Sequence, residues 1–283
     1  MATRHAQGNL VQLHQIFGIP ITTASAYSTL NQKFGFQPNA VLNAGDDIIT
    51  QYVAIGNGGA FPTVNAQGAL KMTSSQHLTS HSGLYNQQPF VVRPVSNDLS
   101  PAEREKYRGR VEFTKNSINY AAYYLMKINQ AQITTPVLEQ REIVESNGIT
   151  SVNITAFSHT QNDLTPVAVQ LTNTQTMQVG SKYIAASCMV PFGMTADQYV
   201  EYTNACAIMF GDTGYESITD IALVSGVDRT VTTAGGLTYI EAIQARVMTS
   251  YPSILTPTTM NGGFNMNLKV SVIDGMLEII DTQ

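Results

Sequence analysis

Residues 48–62, IITQYVAIGNGGAFP, decide which kind of fold this chain adopts. An apolar run that includes Tyr52, Val53 and Ile55 leads into Gly56, Gly58 and Gly59, and Pro62 closes the stretch. A strand feeding a phosphate-cradling loop would announce a nucleotide-binding domain, whereas the same strand turning a corner would not. A loop of the GxxxxGK[ST] type needs a lysine to reach the phosphates and a helix whose first amides face the anion. No lysine stands in GNGGAFP, and no helical pattern follows Pro62. The dinucleotide pattern GxGxxG fails as well, because Phe61 occupies the place of its third glycine. The stretch reads as a strand that ends in a turn whose glycines supply positive φ. It is a corner, and no cofactor is expected.

Working outward, strand signals dominate. FNMNLKVSV alternates strictly: Phe264, Met266, Leu268, Val270 and Val272 form one face, Asn265, Asn267, Lys269 and Ser271 the other. Asp274-Gly275 supplies a type I′ turn and MLEII the return strand, so residues 264–280 read as a C-terminal β-hairpin. VEFTKNSINYAAYYLMKI reads as two strands joined at Lys115-Asn116-Ser117. Residues 129–190 also alternate, with Val152, Ile154 and Ala156 in one stretch and Val167, Val169 and Leu171 in another. SITDIALVSGVDR reads as a buried strand ending in a turn, and residues 64–88 as polar, irregular surface.

Helices are few. LVQLHQIFGIP is loosely helical up to Gly18. Ser100, Pro101 and Glu103 make a capping box with proline at N1, opening a short helix that ends near Gly109. Thr195 with Gln198 makes a second box, opening a helix that stops at Gly211. LTYIEAIQARVMTSY places Ile240, Ile243 and Val247 on one helical face, against which the C-terminal hairpin would pack. The fold class is therefore β-rich α+β, with mixed or antiparallel sheets, a few short helices and the terminal hairpin. Its organisation is read as an N-terminal β-rich region, 1–130, and a C-terminal α+β region, 131–283, without a Gly/Ser or Pro linker to fix the boundary.

The 283 residues are 43% hydrophobic yet only 12% charged, about half the usual quarter. Thr, Ser, Asn and Gln fill the gap, as suits a surface covered by other subunits, although β-rich chains carry such residues anyway. Net charge is −5, which offers no overall basic field for nucleic acid or an anionic membrane. No apolar run approaches the roughly 18 residues of a membrane span. Cys188 and Cys206 lack CxxC spacing and read as reduced apolar residues.

Candidate chemistry is sparse. His77 and His81 have i, i+4 spacing, but Leu78 stands where the HExxH motif needs glutamate, so both read as surface histidines without a metal. Arg93, Arg104, Lys106, Arg108, Arg110 and Lys115 are interleaved with Glu103, Glu105 and Glu112, the charge mix of a solvated helix and hairpin. Adjacent Asp46 and Asp47 would face opposite sides of a strand. No GxSxG elbow and no Cys/His pairing is found, and a non-enzymatic chain is expected.

PFVVRPVSNDLSPAEREKYRGRVEFTKNSINYAAYYLMKIN, IGNGG and ITDIALVSGVDR together resemble virion structural proteins of tailed bacteriophages, of the baseplate-wedge, tail or neck-ring type. The resemblance covers residues 50–128 and 215–230. It implies a structural subunit with no catalytic residues, made in the host cytoplasm and located in the virion. Its partners would be other virion proteins, as a homo-oligomer or ring, with neither nucleic acid nor membrane. Arg104, Arg108, Asn265 and Asn267 are the expected interface residues. A receptor- or glycan-binding tail component is the alternative, and an enzyme with a non-local site a second one.

Overall fold

The computed structural model describes residues 2–18, 21, 29–35, 41–167, 177–179, 181–211, 216–233, 235–260, 262–273 and 279–281. In chain order come β1 (Thr3–Arg4), α1 (Ala6–Phe17), α2 (Thr29–Gln32), β2 (Ile49–Gly56), β3 (Ala60–Val64), β4 (Leu70–Ser74), β5 (Gln87–Gln88) and β6 (Val91–Pro94). Then follow α3 (Pro101–Arg104), β7 (Tyr107–Lys115), β8 (Ile118–Lys127), β9 (Val137–Ser146), β10 (Ile149–Ala156), α4 (Gln161–Leu164) and β11 (Met177–Val179). The last are β12 (Lys182–Thr195), α5 (Ala196–Phe210), β13 (Ile218–Thr232), β14 (Thr238–Leu255), α6 (Pro257–Met260), β15 (Gly263–Val272) and β16 (Ile279–Asp281). The chain is β-rich α+β with antiparallel sheets and short helices. Among the described residues no helix is long and apolar enough to cross a membrane.

Two compact units share the chain. Met1–Gln130 and Phe192–Met266 form the first, Ala131–Pro191 and Asn267–Gln283 the second. One break falls after Gln130, and residues 192–266 return to the first unit after 131–191.

The first unit is built on an eight-stranded sheet ordered β1-β14-β13-β2-β8-β6, with β5 on β2 and β7 on β8. β13 does not end in a turn within SITDIALVSGVDR; it continues to Thr232, paired with β14. β14 is a strand where a helix was expected. Residues 241–248 are all buried, Glu241, Gln244 and Arg246 included, so the segment has no exposed face, and the spacing of Ile240, Ile243 and Val247 carries no helical meaning. Ser225 pairs with Arg246 and Val227 with Ile243, so Gln244 and Ala245 face the single residue Gly226. This is a β-bulge, and Gln244 takes φ 54° in it.

Local signals hold at the helix ends and the tight turn. Both capping boxes close: the Ser100 and Thr195 hydroxyls accept the amides of Glu103 and Gln198, each at 3.3 Å. Gly18 and Gly211 end α1 and α5 in the left-handed region. Asn116 and Ser117, with φ 51° and 63°, make the I′-type turn between β7 and β8. α3 is a single turn, because the chain enters β7 at Tyr107.

The glycine corner exists, but its reason is different from positive φ. Gly56, Gly58 and Gly59 are absent from the positive-φ glycines. They are required by close approach: a Cβ on Gly56 would run into the Tyr85 carbonyl oxygen and come within 2.5 Å of Asp220 Oδ1. On Gly59 it would meet the Tyr85 ring at 2.8 Å. Beyond the corner, the segment expected to be irregular forms the β3–β4 ribbon, closed where Asn65 Oδ1 accepts the amides of Gln67 and Ala69.

The second unit contains the four-stranded sheet β10-β9-β12-β15 and the β11–β16 pair, and the division between units falls inside β12 and β15. Two strands, β15 and β16, stand at the C-terminal end of the described chain, where strands were expected. The ladder of β16 is with β11, and β15 neighbours β12; residues 274–278 lie outside the described set. On β15 Leu268 is buried, Phe264, Met266 and Val270 are half-buried, and Val272 is exposed. Lys269 and Arg141 both bind Glu139, at 2.7 and 2.9 Å. Burial alone would push the Glu139 carboxyl up, but hydrogen bonds from Lys269, Arg141 and Ser187 bring it down to about 2. Val169 and Leu171 lie outside the described residues, and Val167 is exposed.

Gly56→Ala is expected to destabilise the first unit by about 1–3 kcal/mol, because backbone at Tyr85 cannot move aside as a flexible side chain could. Urea unfolding measures it. A loss below about 0.5 kcal/mol would show that the close approach is not what requires glycine.

Candidate functional site

The expected basic interface is largely interior. Arg108 is 2% exposed. Its Nε and Nη2 donate to Asp228 Oδ1 and Oδ2 at 2.7 and 2.9 Å, and its Nη1 donates to the carbonyls of Glu105 and Tyr107. Lys127 and Tyr52 also bind Asp228, both at 2.6 Å. Burial pushes the Asp228 carboxyl up, but Arg108, Lys127 and Tyr52 together hold it well below the carboxylate range. Arg108 is thus bound within the chain, where a solvated charge was expected, because its partner lies 120 positions away. Arg110 is likewise buried, against Asp98 and Glu112. Arg104 is half-buried and donates to the Leu99 carbonyl. Asn265 and Asn267 are exposed.

Nor are the two histidines a surface pair. His77 is buried, with Nε2 3.0 Å from Asp220 Oδ2. Its Nδ1 lies 3.1 Å from His81 Nδ1. The Leu78 amide donates to that same His81 nitrogen at 3.3 Å, which makes it an acceptor and leaves the shared proton on His77 Nδ1. Asp220 Oδ2 also accepts the Tyr85 amide at 2.9 Å. Hydrogen-bond accounting thus gives an Asp220–His77–His81 chain running from the buried sheet to half-exposed His81. The Tyr85 ring lies over His77 at 4.2 Å, and the His5 ring stands edge-on at 5.6 Å. His5 Nε2 contacts Ser250 Oγ at 2.9 Å, while its buried Nδ1 has no hydrogen-bond partner. The cluster ties the N-terminal segment to the sheet, and Ala6 N–H adds a bond to the Thr79 carbonyl. Among the described residues no group of three or more His, Cys, Asp or Glu side chains could hold a metal ion. Cys188 and Cys206 are free thiols, and burial pushes Cys206 up to about 12.

The outside of the molecule carries the opposite character. In the β3–β4 ribbon, Ala60 pairs with Ser74, Pro62 with Met72 and Val64 with Leu70, so these residues share one face. Val64, Leu70 and Met72 are 65%, 80% and 46% exposed on it. The other face holds Phe61, Thr63, Lys71 and Thr73. A two-stranded ribbon is marginal in water on its own, and one whose apolar face meets solvent lacks the packing that would stabilise it. In α1, Leu10, Leu13, Ile16 and Phe17 are exposed while Val11 is buried. In β9 and β10, Ile143 stands opposite Val152 and next to Ile154, and all three are exposed. Sequence reading missed the ribbon, although the alternation of Val64, Leu70 and Met72 with polar residues was visible.

The chain belongs to a family of unknown function, DUF7208, which spans residues 1–279. No curated protein and no solved structure matches it.

Burial, and next the charge of His77, push the His5 imidazole down from 6.5 to about 4. The unfolded chain takes up this proton at the higher pH and the folded chain only at the lower. Stability should therefore fall as pH drops between those two values, and His5→Asn should flatten that dependence. Urea midpoints across pH 4–7 test this. An unchanged pH slope in His5→Asn would remove His5 from the explanation.

Proposed function

We propose that this DUF7208 member is a non-enzymatic structural subunit of a tailed-phage virion, in the tail, baseplate or neck ring, and that it works through assembly contacts. The observation that carries the reading is the apolar face of the β3–β4 ribbon, where Leu70 is 80% exposed. Exposed apolar patches of this kind on an ordered element mark contact surfaces. The stripe on α1 and the Ile143–Val152–Ile154 patch support it. So do a low charge content and the sequence resemblance described above. In the proposed mechanism the ribbon packs its apolar face on a neighbouring subunit and offers its open edges for strand addition.

An enzyme is the second reading, supported by the Asp220–His77–His81 chain, in which half-exposed His81 would donate its Nε2 proton to a substrate while its Nδ1 receives the proton of His77.

Light scattering on the purified protein should give a mass above the 30.7 kDa of one chain. The double variant Leu70→Lys/Met72→Lys should return it to one chain with its thermal midpoint unchanged, since both side chains already meet solvent. Particles purified from phage-infected cells should contain the chain in fixed stoichiometry. A double variant that assembles as the parent does, or particles that lack the chain, would contradict the proposal. Hydrolytic activity lost in His81→Ala would favour the enzyme.

A further inference from the structure

Glu216 lies just before β13 and is 9% exposed. Its Oε2 accepts the Tyr199 hydroxyl at 2.5 Å and the Thr203 hydroxyl at 3.0 Å. Both donors are neutral. The burial of Tyr199, and then its bond to Glu216, push its phenol up to about 12, which keeps it protonated. Every lysine and arginine of the chain is among the described residues, and none forms an ion pair with Glu216. Asp98, Asp228 and Glu139 each face an arginine or lysine, while buried Asp220 is held by His77 and buried Glu241 by the amides of Gly109 and Arg110. A buried carboxylate is normally compensated in that way, because desolvation without a counter-charge is unfavourable.

The carboxylate also lines a cavity of about 620 Å³, with Tyr199, Val200, Thr203, Asn204 and Pro257 among its walls. Val200 is exposed at its edge. A carboxylate and hydroxyls together with the apolar Val200 and Pro257 in one lining suit a long side chain that ends in a cation: an ammonium at Glu216, with its methylenes along Val200 and Pro257.

The chain itself offers such a group. Lys71 is exposed, is the only charged residue from Ala60 to Ser74, and forms no ion pair among the described residues. It projects from the β3–β4 ribbon on the same face as Phe61, opposite the apolar face. We propose that a second copy of this chain seats its ribbon at this cavity, with the Lys71 ammonium as the counter-ion of Glu216 and Phe61 against Val200. The inference rests on the assembly reading and adds a contact through the other face of the ribbon, leaving the face of Val64, Leu70 and Met72 to a further neighbour. Charge complementarity carries it: an uncompensated anion in a cavity of one copy, and an unpaired cation on a projecting ribbon of the other.

Mixing unlabelled and 15N-labelled protein and treating it with a carbodiimide should join Lys71 of one copy to Glu216 of the other, as a mixed-label peptide in mass spectrometry. Lys71→Glu, on an exposed ribbon, and Glu216→Gln, which keeps the oxygen bonded by Tyr199 and Thr203, should each weaken self-association at least about tenfold. The double variant should be no weaker than the worse single one, because the two residues act as a pair. If the protein self-associates but both variants associate as the parent does, or the cross-link forms only within one copy, this inference fails and the assembly reading stands. If the parent stays a single chain at every concentration, self-association fails together with it.

Discussion

From Ile218 opposite Leu255 to Thr232 opposite Thr238, β13 and β14 run side by side, and residues 218–226 of one strand and 241–248 of the other are buried without a break. A sheet covered on both faces needs other elements to exclude water from it. Val11 of α1 packs with Ile48 and Met248 in one cluster, while Ala205 of α5 joins Tyr52, Val224 and Val247 in another. The same pair places three carboxylates, buried Asp220 and Glu241 and half-buried Asp228, where they fasten separate segments. Asp220 holds His77 and the Tyr85 amide. Asp228 holds Arg108, Lys127 and Tyr52, from β7, β8 and β2. Glu241 accepts the amides of Gly109 and Arg110 at 2.6 and 2.9 Å, and so fixes the start of β7. Burial pushes Glu241 up to about 7 despite these bonds. The hydrophobic ladder and the polar clamps are thus features of one strand pair.

How much of this was legible depends on the distance over which each residue acts. The capping boxes at Ser100 and Thr195, the helix-ending Gly18 and Gly211 and the Asn116-Ser117 turn are settled within a few residues, and the sequence reads correctly there. β14 was misread because burial on both faces erases the period of two that marks a strand, leaving apolar residues that fit a helical template by chance. The glycine corner was placed correctly and explained wrongly, since Tyr85 and Asp220 reach Gly56 from distant positions. Arg108, His77 and Glu216 could not be read from their neighbours. Their roles are fixed by Asp228, by Asp220 and by the absence of any cation, facts of tertiary structure alone.

The chain has few charges and uses many of them inside. Arg108, Arg110, Asp220 and Glu241 are all buried, and half-buried Asp228 is taken up by Arg108 and Lys127. The exterior is left to amides, hydroxyls and apolar side chains, among them those of the β3–β4 ribbon, α1 and the β9–β10 pair. That inversion gives the low charge content a physical meaning. It supports a protein whose surface is finished by neighbours, since a charge-poor face loses little hydration when it is covered.

The central claim is that the β3–β4 ribbon is completed by another subunit. Hydrogen–deuterium exchange of the intact protein over a range of concentrations tests it most directly, because backbone protection reports packing whatever the stoichiometry. The account predicts that peptides covering residues 60–74 exchange freely when dilute and become protected as concentration rises, while β13 and β14 remain protected throughout. Protection of residues 60–74 that does not change with concentration, or free exchange of that segment within a demonstrated oligomer, would contradict it.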